Sequence, residues 1–241
     1  MYFYYKTIHM KKTSLLLALV ALLFACKNNE NQAPENQEST EWESEFTEQD
    51  DSSAMTVARA HGYEQWQDVN QLDFTFNIDR GEMHIERSFK WFPKQNRVVY
   101  ISGTDTVDYV RSEVDSLSLR ADQTFINDSF WLLAPLHLAW DQGTTISGPT
   151  QEAAPISGEM MNKLTLTYSD QGGYTPGDAY DLFYGDDKLL KEWIFRKGNQ
   201  PEPSMITTWE AYQEVGGMMM ATMHQDSTKA LQLHFTNLKV Q

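Results

Sequence analysis

The sequence predicts a mainly β protein of the α+β class. It should form a single curled antiparallel sheet or half-barrel of about ten to eleven strands, with two helices on the concave side. Three observations carry this. Strand-like runs follow one another at hairpin spacing, turn-forming clusters separate them, and only two stretches keep a helical period. Hydrophobic residues are 41% and aromatics 12% of the 241 residues, enough to build one sizeable core over residues 54–241.

The first helical stretch is SSAMTVARAH, with Ser53 placed as N-cap, Gly62 as stop, and Met55, Val57, Ala58 and Ala60 as its apolar side. Strand patterns then run over 72–78, 83–92, 97–102 and 106–112. The stretch 114–121 alternates as a strand or as a strand entering a helix. The second helix is expected over 122–140, with Phe125, Phe130, Trp131, Leu133 and Leu136 on its apolar face and Asn127 or Asp128 as a cap. Pro135 should kink or end it near Ala134, because proline has no N–H to donate and crowds the preceding turn. Residues 143–158 read as an irregular linker. Strands follow over 161–168, 178–184, 189–196, 204–215, 217–224 and 229–240.

The stretch TYSDQGGYTPGDAYDLFY at 167–184 invites comparison with a phosphate-binding loop. Such a loop needs glycines that open a helix, so that free N–H groups face the anion. Here the glycines lead into a strand, no lysine follows, and Asp178 would repel phosphate. A hairpin loop is the expectation, with Pro176-Gly177 at the corners of a type II turn. Tyr174, Thr175 and Asp178 remain candidates for a pocket rim, since loops often carry sites.

The amino terminus reads as an address. From Met10, Lys11 and Lys12 form a basic region, Leu15 to Phe24 an apolar one, and Ala25 the small residue before a cut. The apolar run is shorter than the roughly 20 residues of a spanning helix. Leu23-Phe24-Ala25-Cys26 resembles a lipobox, so residues 1–25 are expected to be a signal peptide with translation starting at Met10. Cys26 is the expected lipid-attachment site. An ordinary signal peptide with a chance or buried cysteine is the plainer alternative. A fatty anchor of more than one chain, palmitate among them, would hold the protein stably on the outer membrane of the cell envelope, facing the periplasm or the cell surface. Residues 26–53 read as an acidic disordered tether, with nine acidic residues and one lysine between Lys27 and Ala54. The formal charge of −15 excludes a nucleic-acid partner, which needs basic patches.

Several quoted stretches carry a resemblance. AlaHisGlyTyrGluGlnTrp at 60–66, AsnAspSerPheTrpLeuLeuAlaPro at 127–135, GlyGlyTyrThrProGlyAspAlaTyrAspLeuPheTyr at 172–184 and ThrThrTrpGlu at 207–210 look like a family of Bacteroidetes envelope lipoproteins with no established catalytic residues. In architecture the chain is similar to the LolA/LolB-type lipoprotein carriers, whose half-barrel is closed by helices over a greasy cavity. That likeness implies a hydrophobic ligand or an acyl chain in the sheet concavity.

No catalytic pattern stands out. There is no HExxH or paired-cysteine spacing for a metal, no GxSxG for a serine nucleophile, and nothing that asks for a cofactor. His224 and His234 flank a turn and are expected to face each other across a hairpin. His61 reads as a capping residue. Trp131, Trp193, Trp209, Met218 and Met220 are candidates, with Tyr174 and Asp178, to line an apolar ligand site; core packing accounts for the same tryptophans and methionines. The expected function is therefore a non-enzymatic, lipid-anchored envelope protein that binds an apolar ligand. The alternative is a structural or partner-binding lipoprotein with a filled core, and a hydrolase comes third, conditional on titratable groups converging in the cavity.

Overall fold

The structure, a computed structural model, describes residues 52–171 and 176–241. The expected signal peptide, Cys26, nearly all of the tether, and Tyr174 and Thr175 lie outside these residues. Within them the chain is mainly β, with twelve strands in two open antiparallel sheets and three α-helices.

Helix α1 (Ser53–Ala60) starts at Ser52, one residue earlier than expected, whose hydroxyl accepts from the Met55 N–H at 3.2 Å. His61 caps its end and Gly62 turns the chain at φ 91°, into a single helical turn, α2 (Tyr63–Trp66). Glycine is required at 62 twice over. The left-handed backbone favours it, and a Cβ there would lie 2.7 Å from the Met218 Cα.

A four-strand meander follows: β1 (Leu72–Arg80), β2 (Met83–Phe92), β3 (Arg97–Ser102) and β4 (Asp105–Val110). The stretch 114–121 is not a strand. Asp115 accepts from the N–H groups of Leu117 and Ser118 and from the Ser118 hydroxyl, and this side-chain turn swings the chain into a helix. That helix, α3 (Leu119–Trp140), runs 22 residues and carries Pro135 inside it. The expected end near Ala134 does not occur, because Leu132, Leu133, Ala134 and Leu136 are all buried and their packing outweighs the lost hydrogen bond. Nor do Asn127 and Asp128 cap it; both stand mid-helix, and Asp128 takes a different role described below.

The second sheet is another meander, β5 (Thr144–Ala153), β6 (Met160–Tyr168), β7 (Ala179–Tyr184), β8 (Leu190–Arg196) and β9 (Met205–Thr208). Strand β5 occupies the stretch expected to be linker. It sits on a sheet edge with most of its residues exposed, so its sequence shows no apolar alternation. The expected strand 204–215 divides at Trp209, where the chain leaves this sheet and re-enters the first as β10 (Glu210–Val215). Strands β11 (Met218–Gln225) and β12 (Leu231–Val240) then return to pair with β1, giving the order β10-β11-β12-β1-β2-β3-β4. The two sheets meet around Trp209. There the Thr208 carbonyl lies 3.1 Å from His224 Nδ1 and the Thr208 hydroxyl accepts from the Gln225 N–H.

Two ion pairs seat α3. Arg87 on β2 grips Asp128 with two parallel bonds of 2.7 and 2.9 Å, and Arg111 after β4 reaches Asp122 at 2.9 Å. Asp128 is wholly buried, and that burial pushes its carboxyl up to about 6 despite the Arg87 charge. Truncating one partner strands the other charge. Asp128→Ala should therefore lower stability by about 3–5 kcal/mol, while the paired exchange Arg87→Met with Asp128→Leu should fall within roughly 2 kcal/mol of the wild type, both read from urea midpoints at neutral pH.

His61 and His224 are buried histidines held neutral. Desolvation lowers His61 to about 4, against an opposing bond to the Val57 carbonyl. Desolvation likewise lowers His224 to about 3, with the Thr208 and Trp131 carbonyls opposing. In the unfolded chain both titrate near 6.5, so below that pH the unfolded state binds more protons and stability falls with pH. The contribution is complete above about 6.5. It is lost on acidification at up to roughly 1.4 kcal/mol per pH unit for each histidine. Asp128, raised to about 6, acts in the opposite sense below that pH, so the histidine slope is read as a difference: from pH 7.5 to 4.5 the denaturant midpoint of His224→Leu should fall less steeply than that of the wild type, by about half of the histidine contribution.

Candidate functional site

A cavity of about 980 Å³ opens between α3 and the two sheets, at the upper end of the roughly 300–1,000 Å³ typical of ligand pockets. Its walls follow from strand period. On β1, Phe76, Ile78 and Arg80 are two residues apart and share a face, and Leu233 and Leu231 stand opposite Ile78 and Arg80 on β12. In the other sheet Tyr180, Phe195 and Met205 form a row across β7, β8 and β9. The helix adds Ile126, Phe130 and Trp131. Phe130 lies 4.6 Å from the Tyr180 ring, Trp131 meets Trp193 edge-on at 4.5 Å, and Tyr180 stacks on Phe195 at 5.1 Å. These contacts fix large rings in place, so the wall is apolar and preformed.

One polar cluster interrupts it. Asp141, just beyond α3, receives both the His137 ring at 2.8 Å and the Tyr168 hydroxyl at 2.5 Å on the same oxygen, Oδ2. Burial raises the Asp141 carboxyl, but the hydrogen bonds from His137 and the Tyr168 hydroxyl outweigh it and leave it below its ordinary value. The Tyr168 hydroxyl is driven the other way, first by burial and then by the neighbouring carboxylate. An ionised carboxylate only accepts, so His137 donates to it from Nδ1, and Nε2 is the other ring nitrogen. Phe130 at 4.6 Å and Trp140 at 4.9 Å hold the ring. Such a dyad can take a proton or a hydrogen bond at Nε2. Among the described residues no side chain is hydrogen-bonded to Nε2, so no nucleophile is paired with it.

The sequence-derived lining residues separate into groups. Trp131 and Trp193 stand on the cavity wall. Trp209, Met218 and Met220 do not; they are core. Trp209 meets Trp193 at 5.3 Å and His224 at 4.5 Å, and Met218 backs onto Gly62. Asp178 is also off the wall, buried, with its carboxylate accepting from the Gly198 N–H at 2.7 Å. Tyr174 and Cys26 lie outside the described residues. The expected pairing of His224 with His234 is corrected by the register, which sets Met223 opposite His234 and His224 opposite Leu233. Residues diagonal by one lie on opposite faces, so His224 is buried while His234 turns to Asp79 at 2.7 Å. His61 is the cap it was expected to be. The loop 169–177 joins β6 to β7 as an antiparallel hairpin, with Gly177 at φ 77° where a type II corner requires it. Among the described residues no cluster of three or more His, Cys, Asp or Glu is arranged to hold a metal ion.

Sequence reasoning missed Arg80, Phe130 as a wall residue, Tyr168, Tyr180 and the His137–Asp141 pair. The signal for the last was present: the two are four residues apart at the end of a helix, a spacing that puts them on one face.

No family model matches the chain, and no curated protein is detectably similar in sequence. Two solved structures are similar in part. A DUF1329 family protein from Desulfovibrio piger ATCC 29098 aligns at a TM-score of 0.40 and 11% identity, over 78% of this chain and 93% of that one. MucB, in complex with MucA(peri), aligns at 0.27 and 14%, over 78% of this chain and 56% of that one. At such TM-scores neither likeness fixes a function.

Asp141→Asn should release the His137 tautomer. Long-range ¹H–¹⁵N spectra at neutral pH should show His137 protonated at Nδ1 in the wild type and a mixture shifted toward Nε2 in the variant.

Proposed function

We propose that this protein is a lipid-anchored envelope lipoprotein, similar in plan to the LolA/LolB-type carriers, that holds a hydrophobic ligand or an acyl chain between α3 and its sheets. One observation supports the reading above the rest: a cavity of about 980 Å³ walled by packed aromatic and aliphatic side chains from α3 and both sheets. A protein whose helix simply completed the core would bury Phe130 and Trp131 on both sides, without leaving such a space beside them. Catalysis is not part of the proposal, since His137 Nε2 has no nucleophile among the described residues. Attachment at Cys26 and an outer-membrane location rest on the Leu23–Cys26 lipobox and the basic and apolar segments before it. The acidic segment after Cys26 would serve as a tether.

Native mass spectrometry and solvent extraction of the purified chain should find a co-purifying lipid. Ile126→Trp, which places a bulky ring on the wall, should abolish it while leaving the thermal midpoint within a few degrees. A clean apo mass for the wild type would favour the filled-core alternative. Labelled palmitate should enter the wild type and be absent from Cys26→Ser.

A further inference from the structure

Four ionisable side chains other than tyrosine stand on the cavity wall: Arg80, Arg111, His137 and Asp141. The chain carries a formal charge of −15, yet its cavity wall shows one carboxylate, Asp141, beside two guanidiniums, of which Arg111 is paired with Asp122. That carboxylate is also committed, because Asp141 already accepts from His137 and Tyr168. Arg111 gives its Nε to Asp122 and lies over the Phe125 ring at 5.3 Å, which fixes its position at the wall. The Arg80 side chain, at the end of β1, has no hydrogen bond or ion pair among the described residues, although it stands on the same strand face as the apolar Phe76 and Ile78. A guanidinium beside an apolar surface keeps five donors in a rigid fork, which matches the oxygens of a carboxylate or a phosphate.

We infer that the occupant of the cavity is an amphiphile with an anionic headgroup, a carboxylate or a phosphate ester on an apolar chain. Arg80 reads the headgroup, while the chain lies against Phe130, Tyr180 and Trp193. This inference rests on the cavity being a ligand site. It adds a sign to that reading: a cationic amphiphile meets a like charge at Arg80, and a neutral one leaves that guanidinium unused. His137 offers the wall a further polar contact.

The test displaces the neutral fluorescent probe N-phenyl-1-naphthylamine from the full chain with four ligands of equal chain length: hexadecanoate, hexadecyl phosphate, hexadecanol and hexadecylamine. At least one anion should displace the probe about tenfold or more better than the alcohol and the amine, the size of one charge-assisted contact. Which anion leads distinguishes a fatty-acid headgroup from a phospholipid-like one. Arg80→Gln should remove most of that preference and leave the alcohol unchanged; an unchanged preference in this variant overturns the role of Arg80 in reading the headgroup. All displacement should vanish in Ile126→Trp. Equal binding of the anions and the alcohol, or a lead for the amine, overturns the anionic headgroup while leaving the cavity reading intact. Displacement by none of the four overturns the cavity reading itself and this inference with it.

Discussion

The molecule depends on how a helix is held inside an open pair of sheets, and the Arg87–Asp128 pair shows how. A helix in a sheet concavity has apolar surface on several sides and could slide or rotate at little cost, since dispersion contacts are not directional. A bidentate ion pair is directional. With Asp128 fully buried and Arg87 fixed over the Phe76 ring at 5.4 Å, only one rotation of α3 satisfies both groups. A pair of this kind adds little net stability, because desolvation offsets most of the attraction. Its effect is on register. The second pair, Arg111 with Asp122, lies six residues earlier on the helix and fixes its rotation from the turn after β4.

That rotation decides which residues meet the sheet and which meet the cavity. Phe125 packs on Phe89 and Trp91, so this part of the helix is spent on the core. Ile126, Phe130 and His137 are then obliged to face the space left over. Pro135 contributes in a different way. By removing one N–H it leaves the Trp131 carbonyl without its helical donor. That carbonyl lies close enough to the His224 ring to favour a proton there, though not in hydrogen-bond geometry. Neutral His224 thus has one N–H for two carbonyls, Thr208 and Trp131, at the corner where the sheets meet. His61 plays the matching part at the end of α1. It lies 3.1 Å from the Tyr212 hydroxyl on β10, and its Nε2 accepts from the Leu190 N–H on β8, which ties one strand of each sheet to the helix cap.

Much of this fold is legible in the sequence because most strands have one buried face, and such strands alternate. LDFTFNI and the turn AspArgGlyGlu announce the first hairpin directly. The failures have physical causes of their own. Strand β5 is an edge strand whose exposed residues leave no pattern to read. VDSLSLRA alternates by accident, and its Asp115 side chain decides for a turn; Leu117 there is 84% exposed. The division at Trp209 is invisible because Thr207 and Trp209 belong to one alternating run, while the change of sheet is set by tertiary packing. For the site, aromatic size singled out Trp131 and Trp193, which stand on the cavity wall, but it could not separate them from Trp209, which has the same chemistry and is packed away from that wall. The polar residues of the wall were harder still. Arg80 ends a strand and looks like any turn residue until β12 and α3 are placed beside it.

The same constraint explains why the space is not closed. Collapsing it would require α3 to approach the Tyr180–Phe195–Met205 row. Phe130 already meets Tyr180 at 4.6 Å and lies 5.9 Å from Trp193, so the rings on the two sides are at contact distance and cannot interpenetrate. Moving the helix instead toward β1 would compress Phe76 against the buried Arg87–Asp128 pair. The helix is therefore stopped on one side by ring contacts and on the other by charges that tolerate little displacement. What remains between the stops is an apolar volume bordered by guanidiniums, and its persistence follows from rigid walls and a fixed helix rather than from any need of the core.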